Sequence, residues 1–209
     1  FKHGNFLRSK LTKKETIIPL QNDDFNPHSI KVPASVTNVV QIIRYDSAQQ
    51  GESILALSST GHIYSFSIGT RKVTNTIYIG CSDIICGVYS SLFKIFIIST
   101  KTKIVVVDSE KLTVTKRLEG GPITAFYIDD TLLFSGDANG YIELRDLPSL
   151  EVKANSRMYN GFHSDNGSRK PLAWFNSYSE IPHAVKYLNF LRRREMLISV
   201  SNQGEIFLW

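Results

Sequence analysis

Along most of this chain, apolar residues come in short runs parted by polar turns, and the alternation has a strand's period. The clearest stretch is 124–147, where Asp129-Asp130 marks one turn and Asp137-Ala138-Asn139-Gly140 a second. Such residues favour turns because their side chains bond the nearby backbone and glycine accepts the conformations a tight turn needs. Three short strands remain. In the third, residues 141–146, Ile142 and Leu144 fall on one face and Glu143 and Arg145 on the other. The same reading predicts strands at 36–45, 54–59, 62–68, 73–79, 84–89, 93–100, 103–107 and 113–118. It continues with 123–128, 132–135, 141–147, 151–154, 183–190, 196–200 and 205–209. An all-β fold is expected.

The strands form a repeat. Ile63, Ile104, Ile142 and Ile206 each follow a polar turn and open the third strand of a unit. The first two intervals are about 40 residues, and the third is longer by about 24. The polar stretch 155–179 accounts for the excess as an insertion. Five positions before each of these isoleucines stands a short polar residue suited to open the turn: Ser58, Ser99, Asp137 and Ser201. Four strands per unit at this period mark a β-propeller. The expected fold is therefore a propeller of four-stranded antiparallel blades, three of them complete and a fourth nearly so. Blades pack face to face, which explains the continuous apolar run Ile104-Val105-Val106-Val107. The expected organisation is a basic linker at 1–35 and propeller blades at 36–209. The linker holds an edge strand at 16–20, where Pro19 removes a ladder donor.

Composition narrows the picture only a little. The 209 residues suffice for one substantial domain, and 42% hydrophobic with 21% charged residues is ordinary for a globular chain. A net charge of +5 tolerates acidic peptides, phosphate or nucleic acid without demanding any of them. Cys81 and Cys86 sit in or beside apolar strand sequence, so reduced, buried thiols in a cytoplasmic or nuclear setting are expected. No apolar run approaches the ~18 residues of a membrane span, and no membrane partner is expected.

The units resemble WD repeats. Ile142-Glu143-Leu144-Arg145-Asp146 lies where that family has an apolar strand ending in Trp-Asp, so Arg145 takes the Trp place and Asp146 keeps the Asp. Val107-Asp108 and Phe66-Ser67 stand in the same place in earlier units, and Trp209 in the last. The family's Gly-His pair before the first strand is missing, Gly120-Gly121 being nearest to it, and its turn Asp is replaced by Asn139 and Thr60. Because WD-repeat rings commonly have about seven blades, the resemblance implies a partial ring here, the alternative being four blades closed as a small ring. The strand at 16–20 would then be the outer strand that closes it. At the start, Phe1-Lys2-His3-Gly4-Asn5-Phe6 is similar to the Trp-x-x-Gly-x-Phe segment that joins an F-box to its propeller, with Phe1 in place of Trp.

No catalytic or metal-binding set stands out. His3, His28, His62, His163 and His183 are scattered without ligand spacing, Asp129-Asp130 belongs to a turn, and no phosphate-binding glycine loop is present. The chain is expected to be no enzyme and to need no cofactor or metal. The resemblance implies that partners bind the face carrying the turns between second and third strands and the links between blades. On that face would lie His62, Lys101, Lys103 and Tyr141, the two lysines suiting a carboxylate or phosphate. The insertion would rise from the same face with Arg157, Tyr159, Phe162, Trp174 and Phe175, residue types favoured at interfaces. Arg192-Arg193-Arg194 falls in a turn on the opposite face, where it is either solvated or a patch for nucleic acid, which nothing else indicates. The expected function is a non-enzymatic protein-recognition propeller, more narrowly the substrate-binding part of an F-box ubiquitin ligase. There an F-box outside this chain would dock the ligase adaptor. The alternative is a WD-repeat scaffold in ribosome-biogenesis, chromatin or trafficking machinery, with RNA contact left open.

Overall fold

The structure, a computed structural model, describes residues 38–49, 51–157, 172–173 and 183–209. The first sheet runs β1 (Val39–Ser47), β2 (Gly51–Ser58), β3 (His62–Ser67) and β4 (Lys72–Tyr78). The second runs β5 (Ile84–Ser90), β6 (Ile95–Thr100), β7 (Lys103–Asp108) and β8 (Thr113–Glu119). The third runs β9 (Ile123–Asp129), β10 (Leu132–Asp137), β11 (Tyr141–Asp146) and β12 (Val152–Arg157). Each is an antiparallel meander in which chain neighbours are sheet neighbours. The expected strands are found with ends shifted by a few residues.

The fourth sheet departs from the meander. Its order is β13 (Leu172–Ala173), β16 (Ile206–Leu208), β15 (Met196–Ser201) and β14 (Val185–Leu191). The outer place is filled from the segment that precedes the sheet, with Leu172 opposite Leu208 and Ala173 opposite Phe207. This corrects the expected insertion of 155–179. Its first three residues finish β12, which runs on until Arg157 stands opposite Tyr141, and residues 172–173 are sheet. An outer strand has little to cover, so its apolar signal is weak and its polar end read as loop. The remaining insertion residues to 179 and the linker expected at 1–35 lie outside the described residues.

The core lies between sheets. β1 packs on β5, β5 on β9 and β9 on β14. In the first layer Ile43, Tyr45, Leu55, Leu57 and Ile63 meet Phe96, Ile98, Val105 and Val107. In the second, Ile97, Ile104 and Val106 meet Ile123, Leu133 and Leu147. In the third, Ala125, Phe134 and Ile142 meet Val185, Leu188 and Leu197. With a sheet on either side, all of β6 is buried, which is why that strand reads as apolar at every position rather than alternating. Among the described residues the four sheets follow one another in chain order as an arc, and no comparable packing joins the first and fourth.

One side chain also ties each inner strand to the next. The Gly87 N–H donates to Gln41 Oε1 at 2.6 Å while Gln41 Nε2 donates to the Gly87 carbonyl at 3.0 Å. Cys86 Sγ reaches the Ile123 carbonyl at 3.4 Å, and Thr124 Oγ1 donates to the Val185 carbonyl at 2.5 Å. Burial pushes the Cys86 thiol up to about 12, and both cysteines are free. The native state thus holds the Cys86 proton more tightly than the unfolded chain, so this contribution to stability is whole below the unfolded thiol pKa near 9 and is lost as pH climbs toward 12. Cys86 is therefore expected to resist thiol alkylation at pH 8 until the chain unfolds; labelling of Cys86 at the rate of a free thiol would show that the second and third sheets do not pack as described.

Candidate functional site

One end of the arc is built from the turns between the second and third strands of each sheet and the links between sheets. Three of the turns share a design. Gly61, Gly140 and Gly204 occupy the left-handed region with φ of 87°, 80° and 82°. Each donates its N–H back to the carbonyl of the residue that opens the turn: Ser58 at 3.0 Å, Asp137 at 3.4 Å and Ser201 at 3.1 Å. Side chains of the same three residues cap the turn. Asp137 Oδ1 accepts the N–H groups of Asn139 and Tyr141, both at 2.8 Å. Ser201 Oγ accepts those of Gln203 and Glu205, both at 3.2 Å, and Ser58 Oγ that of Thr60 at 3.3 Å.

The second sheet differs, and here the equal spacing of Ser99 misleads. Ser99 pairs with Ile104 inside the ladder, and its hydroxyl accepts the Ile123 N–H at 3.0 Å. The capping residue is Thr100, whose Oγ1 accepts the N–H groups of Thr102 at 3.4 Å and Lys103 at 3.0 Å. The turn is one residue shorter and has no glycine, so the polar residue that closes it stands one place later.

Each turn is bonded to a neighbouring link. The Asp83 N–H donates to the Ser59 carbonyl at 2.7 Å, and Gly120 to Thr102 at 3.0 Å. Ala138 donates to Pro122 at 3.1 Å, and Asn202 to Ala184 at 2.9 Å. Backbone bonds of this kind hold the face rigid, so its side chains are displayed with little freedom.

On this frame His62 is half-buried. Its ring stacks on Tyr64 at 6.2 Å and meets Tyr78 at 5.1 Å, with Nδ1 3.2 Å from Thr60 Oγ1. Tyr78, which the sequence reading left out, is 58% exposed and is the most open ring on this side among the described residues. Its signal was a tyrosine ending a strand beside the glycine turn. Lys101 and Lys103 are not idle point charges: Lys101 Nζ lies 3.3 Å from Asp83 and Lys103 Nζ 3.3 Å from Glu119. Exposed pairs of this kind contribute roughly 0–1 kcal/mol and are readily exchanged for a partner's carboxylate. Tyr141 is 42% exposed at the start of β11, directly opposite Arg157 in the ladder. Tyr159, Phe162, Trp174 and Phe175 lie outside the described residues.

Other polar groups act between strands rather than toward a partner. Arg145, in the place where the resembled family has Trp, is 13% exposed at its side chain. Its Nε and Nη2 donate to Glu143 Oε2 at 3.1 and 2.5 Å, and Nη1 to the Leu150 carbonyl at 2.9 Å. Glu143 lies two residues away on the same strand face, so the charge is neutralised where a neutral indole would need one partner. Trp209 shows that simpler arrangement, donating to Ser199 Oγ at 2.9 Å. His183, expected to be one of several scattered loop histidines, stands just ahead of β14. Its Nδ1 lies 2.8 Å from Glu205 Oε2, and both side chains are largely buried. The sequence reading had put it at the start of the strand at 183–190, whereas β14 begins two residues later. At the opposite end, Asp129 and Asp130 together hold Arg192, at 2.5 and 2.7 Å. The two carboxylates raise the Arg192 guanidinium further above its usual range. Arg192–Arg194 is a single 3-10 turn, so this triplet is one clamped arginine and two exposed ones.

Among the described residues no group of three or more His, Cys, Asp and Glu is placed to hold a metal ion, and no helix is long and apolar enough to cross a membrane. Cys81, in the link beside Gly61, has its thiol raised by burial, against the opposing pull of Arg117 and Lys103.

No protein-family model matches the chain, and no curated protein does. Solved structures do match, 1125 chains of them. The crystal structure of the RRP9 WD40 repeats superposes with a TM-score of 0.63 at 10% identity, over 87% of this chain and 50% of that one. The computationally designed Ika4 protein superposes with a TM-score of 0.60 at 15% identity, over 87% of this chain and 97% of that one. The chain thus spans half the length of the RRP9 structure. The fold is that of a WD40-type β-propeller. Identities this low speak for architecture alone, and this architecture hosts many tasks.

Proposed function

We propose that this chain is a non-catalytic recognition propeller that binds a protein partner on the face made by its turns and links. The observation that carries the reading is the rigid frame of turn-to-link backbone bonds, from which His62, Tyr78, Lys101 and Tyr141 project. Exposed aromatic rings beside exchangeable ion pairs are the chemistry of a protein interface. The narrower proposal, substrate receptor of an F-box ubiquitin ligase in the cytoplasm or nucleus, is supported by the similarity of Phe1-Lys2-His3-Gly4-Asn5-Phe6 to the linker of such proteins.

The test is a comparison of proteins captured by the wild type and by a His62→Ala, Lys101→Ala, Tyr141→Ala variant of unchanged unfolding midpoint. The variant is expected to lose the partners that the wild type holds at substoichiometric salt-sensitive occupancy; an unaltered set of captured proteins would remove the face from consideration. Co-purification of the full-length product with the ligase adaptor is expected on the narrower reading. Its failure, with the face-dependent partners retained, would leave recognition standing and discard the ligase.

A further inference from the structure

The three complete meanders end in outer strands of one geometry and unlike chemistry. Thr74, Thr115 and Lys153 are the extra residues at a bulge against β3, β7 and β11. The bulges put Asn75 in register with Lys116 and Ala154, Thr76 with Arg117 and Asn155, and Tyr78 with Glu119 and Arg157. An outer strand offers unpaired N–H and C=O groups to any passing strand, and proteins guard such edges with bulges and charges. The bulge is common to all three, so charge is what distinguishes them.

β8 carries Lys116, Arg117 and Glu119. The first two reach to neighbouring sheets, Lys116 Nζ to the Ser149 carbonyl at 2.6 Å and Arg117 Nη2 to the Ile79 carbonyl at 2.8 Å. β12 carries Lys153, paired with Asp146 at 2.7 Å. Beyond Lys72, which opens it, β4 reads Val73-Thr74-Asn75-Thr76-Ile77-Tyr78 without a charge. It has the same pattern of exposed and half-buried positions as β8, and none of the described strands pairs with its outer edge. The Ile79 N–H bonds the Gly61 carbonyl at 3.0 Å. Bonded and non-bonded pairs alternate in an antiparallel ladder, so the backbone groups of Thr76 and Tyr78 point away from β3. The Thr76 N–H is met by its own neighbour's side chain, Asn75 Oδ1, at 2.8 Å, a local contact that a carbonyl on an incoming strand replaces. Lys72, at the start of β4, is exposed, and among the described residues it is in no ion pair.

We propose that the outer edge of β4 is a strand-addition site for an extended peptide with β-branched residues at its centre and a carboxylate side chain toward its C-terminal end. Main-chain bonds to Thr76 and Tyr78 supply the affinity. Antiparallel entry brings the carboxylate to Lys72, and the open ring of Tyr78 receives an apolar residue at the other end. The site lies on the circumference of the arc and shares Tyr78 with the turn-and-link face, so Thr76 and Lys72, which belong to the edge alone, are the positions that test it.

The probe is a synthetic peptide of alternating valine and threonine ending in two glutamates, titrated into the full chain and followed by amide hydrogen exchange. Saturable binding with new protection of the Thr76 and Tyr78 amides is expected. Thr76→Arg, which gives β4 the side chain β8 has at that position, is expected to weaken binding by about tenfold or more. Thr76→Pro removes an outward N–H and no ladder bond, and is expected to do the same. Should it unfold the chain, Lys72→Glu keeps the test open by disfavouring this peptide and favouring one that ends in two lysines. No binding, binding indifferent to Thr76→Arg, or protection appearing on β8 instead would overturn the proposal. So would a dimer of this chain, formed without peptide, that buries the β4 edge.

Discussion

Phe96→Ala is expected to lower stability by about 3–5 kcal/mol, the range for emptying a well-packed aromatic site. Phe96 is wholly buried between the first and second sheets. Its ring meets Tyr45 edge-on at 4.9 Å and 81° and Tyr89 at 5.0 Å. The cost depends on whether neighbours can collapse into the space. Here they are held. The Tyr45 hydroxyl is tied to Ser65 Oγ at 2.7 Å, and moving the ring inward breaks that bond in a buried setting. The same burial raises the Tyr45 phenol above its ordinary range. Urea denaturation at neutral pH is the measurement. A loss below about 1 kcal/mol would mean that the aromatic trio is loosely packed, contrary to the structure. Because among the described residues each sheet packs chiefly on its chain neighbours, the damage should concentrate in the first two sheets, and hydrogen exchange in the fourth should change least.

Gly61→Ala carries the second-largest expected effect, about 2–4 kcal/mol, from two sources. The φ of 87° is one that a residue with a Cβ adopts only under strain. A Cβ there would also lie 1.9 Å from the Cys81 carbonyl oxygen and 2.8 Å from Tyr78 Cε2. The tyrosine ring can swing aside, but the carbonyl belongs to the link backbone and must be pushed out bodily. Gly204→Ala is the control. Its φ of 82° is nearly the same, yet nothing lies within 4 Å of the added carbon. It should cost only the backbone strain, roughly 1 kcal/mol. Thermal unfolding of the two variants side by side separates strain from close approach. Equal losses would refute the tight seating of Cys81 on Gly61. The Gly61 variant should also weaken partner binding beyond its loss of stability, since the displaced link carries Asp83, the carboxylate partner of Lys101.

Much of the architecture was legible because propeller strands announce themselves locally. A strand such as β6 or β7 lies between two covered faces, so it reads as a run of isoleucine and valine wherever it is met. The period of the repeat follows from four such strands and their turns. The candidate face was legible to the extent that turns are. Asp137 and Ser201 cap the turns they were expected to open. Ser99 does not, because a loop one residue shorter moves the capping place to Thr100 while the isoleucine spacing stays the same. The polar end of β12 and the two residues of β13 went unread for a related reason: outer strands are specified by pairing with a neighbour and carry little pattern of their own.

Charges were the hardest to read from sequence. Lys101, Lys103, Asp129 and Arg192 look alike in a sequence, as solvated groups in turns. Their partners are Asp83, Glu119 and each other, and the Asp129–Arg192 pair joins residues more than a whole repeat apart. The alternation along β11 placed Glu143 and Arg145 on one face correctly, but whether that face meets water or another sheet is decided by packing. The sequence by itself determined the strands, their grouping in fours and the turns that join them, because period and turn chemistry act over a few residues. Only the tertiary structure decided which strand fills the last outer place and which charges are already paired, because both depend on residues brought together from distant parts of the chain.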